Sequence, residues 1–315
     1  VNLDLFNPDW WIAPWRSTPN VWLVVTAFLV ALASALPGVF LVLRRMSLAG
    51  DAISHSVLPG IVVAFLFTGS LDSPLLVIGA ATAGLLVMLL IEALHKGAGI
   101  REDAATGIAF TAFFATGVLL LKSYAGKVDL DPDCVLFGSL ETAVHGQRVA
   151  FGSLEIPGAT VSAGAAALAM VLFLFFAYRV LLLGSFDAAH ARTAGFRPGL
   201  INVLLMGAVS MVVVVAFQAV GAVLAVALLI LPGATGLLCA KRVPGVLLIA
   251  ALHALLSSIG GLYVAVALNC NAAAAIVIAG AMWLGIAWLF GPMDGVLHQC
   301  LKKRAAVPEI DGHVG

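Results

Sequence analysis

Residues 49–68 read Ala49-Gly-Asp51-Ala-Ile-Ser-His55-Ser-Val-Leu-Pro59-Gly60-Ile-Val-Val-Ala-Phe-Leu-Phe-Thr68. The stretch has about the length that carries a helix across the hydrocarbon core of a bilayer. It is apolar apart from small hydroxyls and one ionisable pair, Asp51 and His55. A charge in mid-bilayer costs about 2.5–3.5 kcal/mol even on the mild insertion scale, so such residues face a protein interior or a water path. The apolar length points to the fold, and the ionisable pair to the chemistry.

Comparable stretches continue on both sides. Val21–Leu43 precedes it, and Leu75–Leu94, Ala104–Leu121, Ala159–Leu183, Leu200–Phe217, Val220–Ala240, Gly245–Leu268 and Ala272–Phe290 follow. The division on either side of Gln218 is the weakest, and a broken or re-entrant element there turns nine spans into eight. The expected fold is all-α, a polytopic transmembrane helix bundle with eight or nine spans. One transmembrane domain covers 1–315, with an outer N-terminal segment (1–20), an outer insert (122–158), a cytoplasmic loop (184–198) and a cytoplasmic tail (292–315). The insert is long enough to suggest short helices or a re-entrant segment. Small residues recur in the spans, as in Gly79-Ala-Ala-Thr-Ala-Gly84, and close helix packing explains them.

Composition allows no other solvent. An ordinary soluble domain is about 25% charged. Only 10% of this 315-residue chain is charged, 62% is hydrophobic, and the mean hydropathy is +1.12. That excludes a soluble enzyme, a nucleic-acid binder and a disordered chain. The first apolar run is too long for a signal-peptide core and has no basic segment before it. Trp10, Trp11 and Trp15 fit an interfacial aromatic belt. The chain carries no formal net charge, but nine spans sort the charges by side. The inner loops and tail hold 12 basic and 7 acidic residues, the outer side 4 and 8, and Asp51 alone stays within the spans. Excess Lys and Arg mark the cytoplasmic side, which places the N-terminus outside and the C-terminus inside.

Asp51 and His55 are four residues apart, so they share a helix face with Cβ atoms about 5–6 Å apart. A carboxylate and a neutral imidazole at that spacing can reach one divalent cation, and these donors suit Zn, Mn or Fe(II). The same spacing also suits a buried pair that satisfies itself. Pro59-Gly60 follows one turn later and loosens the helix, as expected where a span bends around a cavity. His253, in a later span, is a further candidate ligand or proton carrier, or a histidine bonded to a neighbour. Glu92 and His95 read as snorkelling residues at an inner helix end, Asp103 as a helix N-cap, and Asn269 and Asn271 as outer helix caps. Ser185-Phe186-Asp187-Ala-Ala-His190-Ala-Arg192-Thr-Ala-Gly195 forms a loop with its own helix, started by Ser185 or Asp187 and ended by Gly195 and Pro198. It serves as an interfacial connector or as a docking helix for a soluble partner. Asp129, Asp131 and Asp133 resemble the start of a calcium loop, but Cys134 and Leu140 stand where Gly and Glu are required. An outer disulfide between Cys134 and Cys270 is open in an oxidising compartment. The chain has no P-loop, no His-Glu-x-x-His and no Gly-x-Ser-x-Gly.

One family shares these motifs. Arg44-Arg-Met-Ser-Leu-Ala-Gly-Asp51-Ala-Ile-Ser-His55-Ser-Val-Leu-Pro59-Gly60 resembles the signature of the membrane permeases of bacterial metal-ion ABC importers, the ABC-3 family of manganese, zinc and iron uptake. Arg101-Glu-Asp-Ala-Ala-Thr-Gly-Ile108, Leu136-Phe-Gly138-Ser-Leu140 and Gly221-Ala-Val-Leu-Ala-Val-Ala-Leu-Leu-Ile-Leu-Pro232-Gly-Ala-Thr235 resemble further family segments, with Gly233 in place of an alanine. The resemblance runs from about Val39 to Phe290. It implies a multi-pass permease of the bacterial cytoplasmic (inner) membrane that pairs with a second copy or paralogue. Separate cytoplasmic ATPase subunits drive such a permease, and an extracytoplasmic metal-binding protein supplies it. No nucleic acid and no resident cofactor are implied. The metal residues map onto Asp51 and His55, and the ATPase-coupling helix onto Ser185, Phe186, Asp187, His190, Arg192 and Gly195. The first motif looks more like the manganese/iron branch than the zinc branch. An ion-coupled secondary transporter is the expectation from another class.

Overall fold

The computed structural model describes residues 11–69, 74–124, 140–151, 154–186, 188–193, 195–196, 198–293 and 295–298. A short 3-10 turn, Ala13–Arg16, leads into α1, Thr18–Leu43. The second expected span is two helices, α2 (Ser47–Ser56) and α3 (Leu58–Thr68). Then come α4 (Pro74–Gly97), α5 (Glu102–Tyr124) and, on the outer insert, a short α6 (Leu140–His145). An antiparallel hairpin of β1 (Arg148–Phe151) and β2 (Leu154–Pro157) follows, with Arg148 opposite Pro157. The chain continues through α7 (Gly158–Phe186), α8 (Ala188–Thr193), α9 (Pro198–Val220), α10 (Ala222–Cys239), α11 (Val243–Leu268) and α12 (Ala272–Phe290).

Seven helices, α1, α4, α5, α7, α9, α11 and α12, are long and apolar enough to cross a membrane. Two shorter apolar helices, Leu58–Thr68 and Leu224–Cys239, stand where the second and seventh spans were expected. In lipid every backbone group must be satisfied internally, which leaves helices as the solution for these runs. The division expected at Gln218 falls at Gly221, whose φ of 83° is glycine territory and turns the chain between α9 and α10. The hairpin was not expected from the sequence. It stands between α6 and α7.

α1 is the most enclosed of the long helices and packs on α7, α9, α10 and α11. Its contact with α10 is backbone to backbone: a Cβ at Gly38 would lie 1.9 Å from the carbonyl oxygen of Leu229. α3 and α4 cross in the same way, since a Cβ at Gly60 would meet the Gly79 carbonyl oxygen at 2.1 Å. At the start of α12, Glu141 of α6 accepts the Ala272 N–H at 2.8 Å, and Asn271 accepts from Ala273 and Ala274. Asn271 is thus the N-cap of α12 as expected, and Asn269 ends α11 in the left-handed region at φ 48°.

Candidate functional site

The site begins at the turn between α1 and α2. The Arg45 N–H bonds the Val42 carbonyl and the Met46 N–H bonds the Leu41 carbonyl, with Arg45 at φ 62°. This double closure is a Schellman-type stop. α2 then restarts at Ser47 with no free linker. At about 1.5 Å per residue, Asp51 lies about 6 Å and His55 about 12 Å along α2. α2 and α3 together span about 33 Å by the same rise, so Asp51 and His55 fall in about the first third of the run counted from Ser47.

The break occurs at Val57, two residues before Pro59. Pro59 has no N–H, so the His55 carbonyl loses its i+4 helical donor. α5 closes against this point, where a Cβ at Gly117 would meet the ring of Pro59 at 2.9 Å. The half-buried His55 ring faces Phe110 and Phe114 of α5, with centroids 5.5 and 6.1 Å away. Asp51 stands one turn before His55 along α2. The imidazole is thus held beside two aromatic rings of α5.

The other candidates lie elsewhere. His253 is on α11, which packs on α1, α10 and α12, whereas α2 packs chiefly on α5, α4 and α9. Its ring is 3% exposed, and neither ring nitrogen has a hydrogen-bond partner. It borders a cavity of about 250 Å³ with Thr235, Cys239, Leu252, Leu256 and Trp283. Among the described residues, no three His, Cys, Asp or Glu side chains converge. Cys270 is exposed, and its expected partner Cys134 lies outside the described residues.

The loop after α7 does contain its own helix, α8, closed by Gly195 at φ 84° with the Phe196 N–H on the Ala191 carbonyl. Ala191 is buried, while Phe186, Arg192, Gly195 and Phe196 are exposed. Asp187 lies outside the described residues, and His190 falls within α8. Ser185 is not the cap of this helix. It belongs to α7, where its hydroxyl donates to the Leu181 carbonyl at 2.7 Å and accepts from Arg44 Nε at 2.9 Å. Asp103 is not a cap either, because α5 begins one residue earlier at Glu102 and Asp103 faces Arg101 at 3.7 Å on the surface. Glu92 does more than snorkel: it accepts from Asn202 Nδ2 at 3.3 Å and pairs with Lys96. Arg44, counted in the sequence only as an inner charge, proves to be the centre of this group. Burial pushes its pKa down from the ordinary arginine value, and a guanidinium stays charged regardless. Its neighbours come from residues 92, 185 and 202, and no local pattern could have named them.

A bundle of apolar spans, one of them interrupted one turn after an acid–imidazole pair, with a short helix on a connecting loop, is the architecture of a multi-pass membrane transport subunit. The ABC 3 transport family model matches residues 20–291, and the chain belongs to that family. The zinc transport system membrane protein TroD of Treponema pallidum is 40% identical over 91% of this chain and 78% of its own. The manganese transport system membrane protein MntD of Bacillus subtilis is 38% identical over 90% and 96%. The manganese import system permease protein ScaB of Streptococcus parasanguinis is 35% identical over 85% and 89%. The solved structure of PsaBC from Streptococcus pneumoniae, in complex with Fab, superposes with a TM-score of 0.75 at 29% identity, covering 93% of this chain and 98% of that one. The chain is therefore a membrane permease of an ABC transport system, a transport subunit rather than an enzyme.

Proposed function

We propose that this permease carries a divalent transition-metal ion, Mn²⁺ or Fe²⁺ in preference to Zn²⁺, into the bacterial cytoplasm, with ATP hydrolysed by separate cytoplasmic subunits. The observation that supports this most directly is the Asp51–His55 pair on α2, one turn before the interruption at Val57 and Pro59. Its donors suit Mn, Fe(II) and Zn alike. Two donors make an incomplete shell, which keeps binding weak enough for release, and a second copy or paralogue facing the same pathway completes it. An extracytoplasmic metal-binding protein delivers the ion. α8, with Phe186, Arg192 and Gly195 exposed around it, docks the ATPase, with Asp187 and His190 on the same loop. The C-terminus is cytoplasmic in this arrangement, and the acidic outer face lies on the side where a cation enters.

Manganese is favoured because relatives in Bacillus and Streptococcus are named for it. Zinc is the second reading, since the treponemal relative is named for zinc at 40% identity. Uptake of radioactive Mn²⁺, with Fe²⁺ and Zn²⁺ as competitors, tests both in proteoliposomes holding the permease, its ATPase and its binding protein. ATP-dependent Mn²⁺ uptake that Asp51→Ala and His55→Ala abolish is the expected result. Unimpaired uptake in correctly inserted variants would overturn the site. Transport that needs no ATPase would favour an ion-coupled carrier instead.

A further inference from the structure

One guanidinium holds both stems of the loop that carries α8. Arg44 Nε donates to Ser185 Oγ at 2.9 Å, one residue before the end of α7. Arg44 Nη1 donates to Asn202 Oδ1 at 3.1 Å, in the opening turns of α9. Asn202 Nδ2 extends the network to Glu92 on α4, and Glu92 pairs with Lys96. Four segments distant in sequence thus meet at Arg44: the end of α1, the inner end of α4, and the two stems flanking α8.

Arg44 is also the last residue before the stop that launches α2. The closed turn over Arg45 and Met46 ties the Arg44 backbone to Ser47 without a free linker. A displacement of the α8 stems that drags Arg44 therefore moves the start of the helix bearing Asp51 and His55. The guanidinium also has room to change partners. Its Nη2 is buried and unpaired, and Arg44 borders a cavity of about 220 Å³ with Met46, Met88, Glu92 and Met206. Gly184 keeps that edge open, since a Cβ there would stand 3.3 Å from Nη2.

We infer that Arg44 is a positioning residue that transmits the movement of the α8 loop to α2, coupling the ATPase stroke to the metal helix. The inference rests on the importer reading above. It touches neither metal nor nucleotide, so its removal uncouples the machine instead of disabling either end. A planar fork serves two acceptors at once, and a lysine ammonium cannot reproduce it.

The test uses the assembled transporter in proteoliposomes, reading Mn²⁺ uptake, ATP hydrolysis with and without Mn²⁺, and equilibrium Mn²⁺ binding. In Arg44→Met, hydrolysis without metal and Mn²⁺ affinity stay within about twofold, while uptake falls roughly ten- to hundredfold, the scale of a lost charged hydrogen bond. The ATP spent per ion rises by the same factor. Arg44→Lys recovers part of the ratio. Asn202→Leu cuts only the α9 limb, shifts the ratio in the same direction by less, and supplies the test if Arg44→Met fails to assemble. Uptake and hydrolysis falling in proportion, with the ratio unchanged, would reduce Arg44 to a structural staple and overturn the inference, as would wild-type uptake. In each of these cases the importer reading stands, because wild-type transport is intact. A wild-type assembly that moves no metal overturns that reading, and this inference with it.

Discussion

Of the three described histidines in the apolar runs, His95 sits exposed near the end of α4, and the other two, His55 in α2 and His253 in α11, lie in opposite settings. His55 is half-buried at the end of a broken helix, against two phenylalanine rings and one turn from a carboxylate. His253 is sealed in the middle of an unbroken 26-residue helix, with both ring nitrogens unpartnered. Sequence alone offers both as ligands, because both are imidazoles among apolar residues. The neighbours separate them. A transport site needs a second donor, a loosened backbone and a path for the ion; under the proposed function Asp51 is the second donor and the interruption before Pro59 the loosened backbone. α11 supplies a dense seam: a Cβ at Gly261 would meet the Ile276 side chain at 2.3 Å, and one at Gly280 would meet His253 Nε2 at 3.3 Å.

The sharpest way to break this comparison is to remove each histidine in turn. Asp51→Ala and His55→Ala should each lower Mn²⁺ uptake at least about a hundredfold, as expected when one of two donors is lost from a weak site. His253→Leu should leave uptake within about twofold, since α11 packs on α1, α10 and α12 and away from α2. Equal losses at the two histidines, measured by initial uptake rates at matched membrane insertion, would dissolve the distinction.

The same contrast explains how much the sequence disclosed. The spans were legible because lipid enforces a long apolar run and a self-satisfied backbone at once, leaving few alternatives. Pro59 announced the bend in the second span because a missing N–H acts locally. Wherever several candidates competed at short range, the reading slipped by a few residues: the division after α9 sits at Gly221 rather than Gln218, and α5 starts at Glu102 rather than after an Asp103 cap. Ser185 looked like a cap because its type suits one, yet Arg44 and the Leu181 carbonyl already occupy its hydroxyl. The Arg44 group joins residues 44, 92, 185 and 202, a meeting set by tertiary packing. The outer hairpin was hidden because two four-residue strands carry little periodicity.

The α2–α3 side also depends on a tighter seam than its broken helix suggests. Gly60→Ala places a methyl 2.1 Å from the Gly79 carbonyl oxygen, so α3 and α4 must part. Overpacking of this kind costs about 1–3 kcal/mol. Gly107→Ala, in α5 with nothing within 4 Å, should instead stabilise by up to about 1 kcal/mol through helix propensity. Thermal unfolding in detergent should give opposite signs for the two. A shared sign would mean that the α3–α4 crossing relaxes freely and does not hold the bend at Pro59.

On the α11–α12 side the leverage is smaller. Asn271→Ala removes the side-chain acceptor for the Ala273 and Ala274 N–H groups. Loss of an N-cap costs about 1 kcal/mol, and here Glu141 still holds the Ala272 N–H. A modest fall in melting temperature with normal uptake is expected. Asn271 Nδ2 also donates to Glu141 Oε2 of α6 at 3.5 Å, so a fall as large as that of Gly60→Ala would mean that this contact carries much of the docking of α6.

The smallest effect, with its sign reversed, belongs to His253→Leu itself. A neutral imidazole has one donor and one acceptor, and both are buried here without partners. An unmet buried polar group costs about 1–3 kcal/mol, whereas leucine fills a similar space with no polar atom. Part of that gain is lost because Gly280 already packs close to this position. The net expectation is a small rise in melting temperature, with uptake unchanged. A clear destabilisation would show that something polar occupies the seam beside His253 and the buried Ser257 hydroxyl. His253 would then be a working residue, and the contrast with His55 would be one of degree only.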